Sequence, residues 1–160
     1  FMDWHSFCRG RTTMSEMLGN QFFLARNYAA AAKELENAFQ HNPNCKGIRR
    51  KLIICFNETG EIRKAFSIFI SLINEDAEFI IHTDPIDDDC PCPELIFEAE
   101  RCLMNNDDSI EFVLRMGMLW LYCDVRESIR YFNQAQKMAP TDTDIKTAIT
   151  LLKTKEMLSN

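Results

Sequence analysis

Apolar residues recur at helical spacing along almost the whole chain. Between residues 14 and 25 they lie three or four positions apart, which places them on one stripe of an α-helix. The members of this stripe are Met14, Met17, Leu18, Phe22 and Ala25. The same spacing resumes in residues 28–39, 46–57 and 62–74. The pattern therefore predicts an all-α fold.

Short interruptions separate these helical segments. Arg26-Asn27 breaks the first pattern, and Pro43 ends the second, because Pro lacks a backbone N–H and disfavours helix in the residue before it. Thr59-Gly60 ends the third segment. Connections this short predict helices arranged in antiparallel pairs.

The predicted helix pairs repeat with a period of 34 residues. Three apolar positions recur at this distance: Leu18 with Leu52, Phe22 with Phe56, and Ala31 with Ala65. A third copy begins at Met116-Gly117 and continues with Trp120, Ser128, Phe132, Ala135 and Pro140. It is one residue short in its internal turn. Small residues such as Gly19 would let the paired helices cross closely.

These positions resemble the signature of the tetratricopeptide repeat family, with its Leu-Gly, Tyr, Ala, Phe, Ala and Pro positions. The first module matches closely, through Leu18-Gly19, Phe22, Ala31, Leu35, Ala38 and Pro43. The second departs at Ile53, Leu72 and Ala77. The resemblance implies an α-solenoid of antiparallel helix pairs with a concave face and a C-terminal capping helix.

On this interpretation residues 1–160 form one tetratricopeptide-like domain. Its predicted parts are repeat 1 (12–45), repeat 2 (46–79), a degenerate repeat (80–108), a last repeat (109–141) and a capping helix (142–160). The degenerate repeat contains an acidic, proline-rich loop from Asp84 to Pro93. The helix from Phe66 to Ile73 is apolar nearly all round. We expect residues 77–93 or a second protomer, as a homodimer, to cover it.

Composition and charge exclude several classes of function. The chain has 18 basic and 24 acidic residues and a net charge of −6, which argues against nucleic-acid binding. No apolar run approaches 18 residues, so we expect no membrane span. Seven cysteines, an odd number scattered through helical segments, predict reduced thiols in the cytoplasm, several of them core residues.

The sequence offers little chemistry for a metal or for catalysis. His5, Cys8, Cys90 and Cys92 could in principle bind zinc, but Cys-x-Cys is tighter than the usual ligand spacing. The acidic loop lacks the Gly and the terminal Glu of a calcium loop. No catalytic motif or phosphate-binding Gly loop is present. We therefore expect no enzyme activity, no metal and no cofactor.

The tetratricopeptide resemblance implies a peptide-binding groove lined by the first helix of each pair. The implied residues are Thr13, Glu16, Asn20 and Phe23; Arg50, Lys51, Ile54 and Asn57; and Glu111, Leu114, Arg115, Met118 and Tyr122. Asn20 matches one position of the family's carboxylate clamp. Glu16 and Lys51 stand where the clamp has Lys and Asn, so the complete clamp is absent. Arg50, Lys51 and Arg115 instead suit an acidic or mixed segment with an apolar anchor.

The predicted function is a non-enzymatic protein–protein interaction module or adaptor. One alternative on the same fold is a small dedicated secretion-type chaperone, which rests on fold-level analogy. Another is a metal- or redox-sensing adaptor that uses Cys90 and Cys92, with Cys8 and His5.

Overall fold

The computed structural model describes residues 11–102 and 108–159, and all the regular secondary structure in those two ranges is helical. The chain divides into two compact units, residues 1–72 and 73–160, and the boundary falls within the fourth helix. The helices are α1 (Met14–Leu24), α2 (Tyr28–His41), α3 (Lys46–Glu58), α4 (Ile62–Asp76), α5 (Glu78–Ile81), α6 (Cys92–Cys102), α7 (Ile110–Trp120), α8 (Val125–Met138) and α9 (Thr143–Leu158). Residues 103–107 of the predicted degenerate repeat lie outside the described ranges.

In the first unit α1 packs against α2, and α2 packs against α3. The helix ends fall where the sequence predicts: α1 stops before Arg26, α2 before Pro43 and α3 before Thr59-Gly60. Side-chain caps fix two of the starting points. Thr13 Oγ1 accepts a hydrogen bond from the Glu16 N–H, and Asn27 Oδ1 accepts one from the Ala30 N–H.

The 34-residue period recurs in the hydrogen bonds that end α1 and α3. The N–H of Asn27 donates to the carbonyl of Phe22 at 2.9 Å, and 34 residues later the N–H of Glu61 donates to the carbonyl of Phe56 at the same distance. Both ends form the Schellman arrangement, which requires a left-handed residue just past the helix. Arg26 (φ 60°) and Gly60 (φ 82°) supply that conformation at equivalent positions. The repeat is therefore present in the backbone as well as in the sequence.

The crossing of α1 and α2 depends on Gly19. A Cβ placed on Gly19 would lie 2.7 Å from Cγ and from Cδ2 of Leu35, which is fully buried. The absence of a side chain at this position lets the two helices approach closely, as the sequence predicts. Leu18, however, is 36% exposed, so only Gly19 of the predicted Leu18-Gly19 pair lies in the contact.

In the second unit α6 packs against α7, α7 against α8, and α8 against α9. The α7–α8 pair repeats the crossing just described, since a Cβ on Gly117 would lie 2.9 Å from the Phe132 ring. Ser128, also buried, donates its hydroxyl hydrogen to the Gly117 carbonyl at 2.6 Å. Helix α8 begins and ends 97 residues after α2, and α9 begins 97 residues after α3.

Two further predictions about helix faces can be compared with the structure. The capping helix α9 buries Ile145, Ile149 and Leu152 and exposes Lys146 and Lys153, as expected. The apolar helix α4 buries Phe66, Phe69, Leu72 and Ile73 within a single chain. Its burial therefore does not require a second protomer, and the homodimer stays a prediction.

Candidate functional site

The first helices of two successive pairs meet at Asn20 and Lys51. The Lys51 ammonium donates a hydrogen bond to Asn20 Oδ1 at 2.7 Å, which links α3 to α1 across 31 residues of sequence. The same ammonium lies 5.8 Å from the centre of the Phe23 ring, within the range of a cation–π contact. Asn20 and Lys51 are partly exposed, whereas Phe23 is buried. These three residues place a positive charge beside an aromatic ring at the surface of the first unit.

The other predicted groove residues of the first unit are packed inside the protein. Arg50, Ile54 and Asn57 are 5%, 2% and 3% exposed, although the tetratricopeptide resemblance implied that they line an open groove. Their assignment to a peptide groove stays a prediction. In this structure they are core residues, so a ligand could reach them only if the surrounding helices moved apart. Thr13 and Glu16 of α1 are partly exposed.

The predicted groove residues of α7 show the same division. Leu114, Met118 and Tyr122 are buried, Glu111 is exposed, and Arg115 is partly exposed. These residues belong to the second unit, whereas Lys51 belongs to the first. Among the predicted groove residues, Asn20, Lys51 and Phe23 are therefore the ones that contact one another within a single unit.

The net charge of −6 conceals opposite charges on the two units. Residues 1–72 contain ten basic and six acidic side chains, and residues 73–160 contain eight and eighteen. Sequence reasoning that used the whole-chain charge missed this asymmetry. Counting the two halves separately would have revealed it. The first unit therefore carries a net positive charge and the second a net negative charge.

The acidic loop of the second unit bonds to its own backbone. Asp84 Oδ1 accepts hydrogen bonds from the N–H groups of Ile86 and Asp87 at 2.8 and 2.9 Å, and Asp88 Oδ2 accepts one from the Asp84 N–H. The N–H groups of Asp87 and Ile86 hold the pKa of the Asp84 carboxyl below its ordinary value. These carboxylates close a turn. No group of three or more potential metal ligands occurs in residues 11–102 and 108–159.

The cysteines differ from the sequence expectation of reduced thiols. Cys90 and Cys92 are joined to each other by a disulfide, and Cys45 is disulfide-bonded as well. Cys90 and Cys92 lie in the buried stretch where the acidic loop meets α6. Cys55 is a core residue, as predicted, and burial raises the pKa of its thiol to about 12. His5 and Cys8, the other half of the predicted zinc site, lie outside the described residues.

Each helix in the described part of the chain is too short or too polar to cross a membrane. Comparison with known proteins provides no relative: no protein-family model, no curated protein and no solved structure matches this chain.

Proposed function

We propose that the protein is a non-enzymatic interaction module, a tetratricopeptide-like solenoid that binds an acidic peptide segment or a carboxy terminus at Lys51. The observation that carries this proposal is the hydrogen bond between Lys51 and Asn20. This bond joins the first helices of two equivalent pairs. The tetratricopeptide resemblance implies that these first helices line the ligand-binding groove. The 34-residue recurrence of the helix ends supports the equivalence of those pairs.

The chemistry at this surface suits a carboxylate. The Lys51 ammonium carries a positive charge and N–H donors, and it already donates to Asn20 Oδ1. The Asn20 side-chain amide adds two N–H donors of its own. A carboxylate that bridges Lys51 and Asn20 would receive charge-assisted bonds, which are stronger than neutral ones. The net positive charge of residues 1–72 would favour the approach of such a ligand.

A peptide array tests the proposal. The array carries peptides with Asp, Glu or a free carboxy terminus next to an apolar residue, together with amidated and Asn/Gln-substituted copies. We expect the wild type to select acidic members and Lys51→Glu to lose them. Lys33→Glu is the matched control, because it makes the same charge change at an exposed position of α2 in the same unit. Equal selection by wild type and Lys51→Glu would refute the proposal.

The disulfide between Cys90 and Cys92 favours a second candidate function, a redox-responsive adaptor. Disulfides are rare in the reducing cytoplasm, where those present are often catalytic or redox-sensing. A dithiol such as dithiothreitol would transfer two electrons and two protons to this bond and become a disulfide itself. If the function is redox-controlled, reduction changes the affinity for the selected peptides at least tenfold. A Cys90→Ser, Cys92→Ser double variant that no longer responds to dithiothreitol would assign the effect to this bond. A response that the double variant retains would assign it to the disulfide of Cys45 instead.

A further inference from the structure

Helix α1 carries an acidic side chain one turn away from the contact between Lys51 and Asn20. Glu16 precedes Asn20 by four residues and Phe23 follows Asn20 by three, so these three residues share one row on the helix. Lys51 of α3 contacts this row at Asn20 and at the Phe23 ring. Glu16 therefore lies on the side of α1 that faces Lys51, one turn nearer the start of the helix.

The neighbouring row of α1 is turned towards α2 instead. Ser15 Oγ accepts a hydrogen bond from Asn37 Nδ2 at 2.7 Å, and Gly19 packs against Leu35. Ser15 and Gly19 are four residues apart, so they occupy successive turns of one row. Because α2 lies along that row, it leaves the row of Glu16 to the α3 side of the unit.

The Glu16 carboxylate has no partner within residues 11–102 and 108–159. No Lys, Arg or His side chain in these two ranges forms an ion pair with it. The Glu16 N–H donates to Thr13 Oγ1, but the return bond of a capping box, from the Thr13 N–H to the Glu16 carboxylate, is not made there. The Glu16 side chain is partly exposed. Its negative charge is therefore accessible to a ligand.

Helix α3 leaves space on the same side. One turn before Lys51 stands Gly47, where an added Cβ would have Cys45 Sγ as its nearest neighbour, at 3.9 Å. Two short turns reverse the chain direction twice between α1 and α3. A step of one turn back from Lys51 therefore runs in the same direction as the step from Asn20 to Glu16. Towards the Glu16 end, the α3 row that carries Lys51 presents backbone and no side chain.

We infer that Glu16 is a second charged subsite beside Lys51, and that the ligand carries a Lys or Arg next to its acidic group. Lys51 and Asn20 bind the acidic group, and Glu16 binds the ammonium or guanidinium. A purely acidic segment would instead bring a second negative charge towards Glu16, which is unfavourable. The Glu16 subsite deepens the proposed function and rests on it, because the acidic group of the ligand is placed at Lys51.

The spacing of the two subsites sets the spacing of the two charges in the ligand. Side chains four residues apart on a helix have Cβ atoms about 5–6 Å apart. An extended peptide advances about 3.3 Å per residue and its alternate side chains share a face, so residues two positions apart lie about 7 Å apart on one side. The segment that fits therefore has a Lys or Arg two positions from its Asp or Glu.

Isothermal titration with matched peptides tests the inference. Each peptide has eight residues and blocked ends, with one Glu, an adjacent Leu, and a Lys two positions before or after the Glu. A copy of each carries acetyl-lysine, which keeps the aliphatic chain and lacks the charge. In one of the two orders, we expect Lys to bind wild type about three- to fivefold more tightly than acetyl-lysine, as for an ion pair between partly exposed groups.

Two variants of the protein assign this difference to Glu16. Glu16→Gln should abolish the preference for Lys over acetyl-lysine. Glu34→Gln is the matched control and should retain the preference, because Glu34 is also a partly exposed carboxylate, on α2 of the same unit.

Charge reversal provides a readout that a structural role of Glu16 would not change. A carboxylate in the first turn also stabilises a helix, but that contribution affects the binding of all the peptides alike. Glu16→Lys should bind the Lys peptide more weakly than wild type does. The same variant should bind a peptide with a second Glu in place of the Lys more tightly than wild type does.

Two results would overturn the inference. One is equal affinity of wild type for the Lys and acetyl-lysine peptides in both orders, and the other is a preference for Lys that Glu16→Gln retains. If the acetyl-lysine peptides then bind wild type but not Lys51→Glu, the acidic group is bound at Lys51 and only the Glu16 subsite is wrong. If no peptide distinguishes wild type from Lys51→Glu, the proposed function fails, and the Glu16 subsite fails with it.

Discussion

Gly19 of α1 sits directly against the side chain of Leu35 in α2, so closely that a Cβ on Gly19 would lie 2.7 Å from two Leu35 carbon atoms. The same relationship holds between Gly117 and the Phe132 ring, at 2.9 Å. In both pairs a glycine in the first helix receives a large buried side chain from the second. This contact sets how closely the two helices of a pair can pack.

Replacement of Gly19 by Leu should destabilise the protein by about 1–3 kcal/mol, because fully buried Leu35 must shift to make room. Gly47→Ala is the matched control. Gly47 also lies in a helix, but its nearest neighbour would be Cys45 Sγ at 3.9 Å. That control should be neutral or stabilising by up to about 1 kcal/mol. Denaturant unfolding measures both, and a Gly19→Leu protein as stable as wild type would contradict the packing described here.

The left-handed residues that follow α1 and α3 lead to a pair of opposite predictions. Gly60→Ala should cost about 1 kcal/mol, because its φ of 82° is strained for any residue with a Cβ. Arg26→Gly should stabilise the protein by less than about 1 kcal/mol, since it removes that strain at the equivalent position. Thermal melts of the two variants check the signs. A higher Tm for Gly60→Ala together with a lower Tm for Arg26→Gly would show that the two turns are not equivalent.

Much of the fold follows from local sequence signals, and the parts that do not follow depend on neighbours. Pro43 and Gly60 mark helix ends through their own backbone chemistry, so the sequence alone predicts those boundaries. Periodicity shows that Met14 and Leu18 share a face but not whether another helix covers it. The same limit applies to Arg50, which the tetratricopeptide resemblance placed in an open groove although packing buries it.

Ser128 provides a test of the last helix pair. Its buried hydroxyl donates to the Gly117 carbonyl at 2.6 Å, at the position that Ala31 occupies in the first pair. Ser128→Ala should cost about 0.5–1.5 kcal/mol through the lost hydrogen bond. Ser128→Val should cost more, because the glycine crossing leaves no space for a branched side chain. Urea unfolding measures both, and a more stable Ser128→Val variant would argue against a close α7–α8 crossing.

Cys55 should make stability depend on pH in the alkaline range. Burial raises the pKa of its thiol from an ordinary 9.0 to about 12, so the folded protein retains a proton that the unfolded chain releases. The stabilisation is complete below pH 9 and is lost as the pH rises from 9 towards 12. Between pH 8 and pH 10 the wild type should lose about 1 kcal/mol more than Cys55→Ala, as measured by denaturant unfolding under reducing conditions. Parallel losses in the two proteins would show that Cys55 is accessible to water.

The affinity of a selected acidic peptide for wild type and Lys51→Glu, measured by isothermal titration at low and at physiological salt, tests the proposed binding function most directly. The account predicts at least tenfold weaker binding to Lys51→Glu at low salt, or about 1.4 kcal/mol, with unchanged binding to Lys33→Glu. The difference should shrink at physiological salt, where charges are screened beyond about 8 Å. Equal affinity of wild type and Lys51→Glu at low salt would contradict the assignment of the peptide site to Lys51 and Asn20.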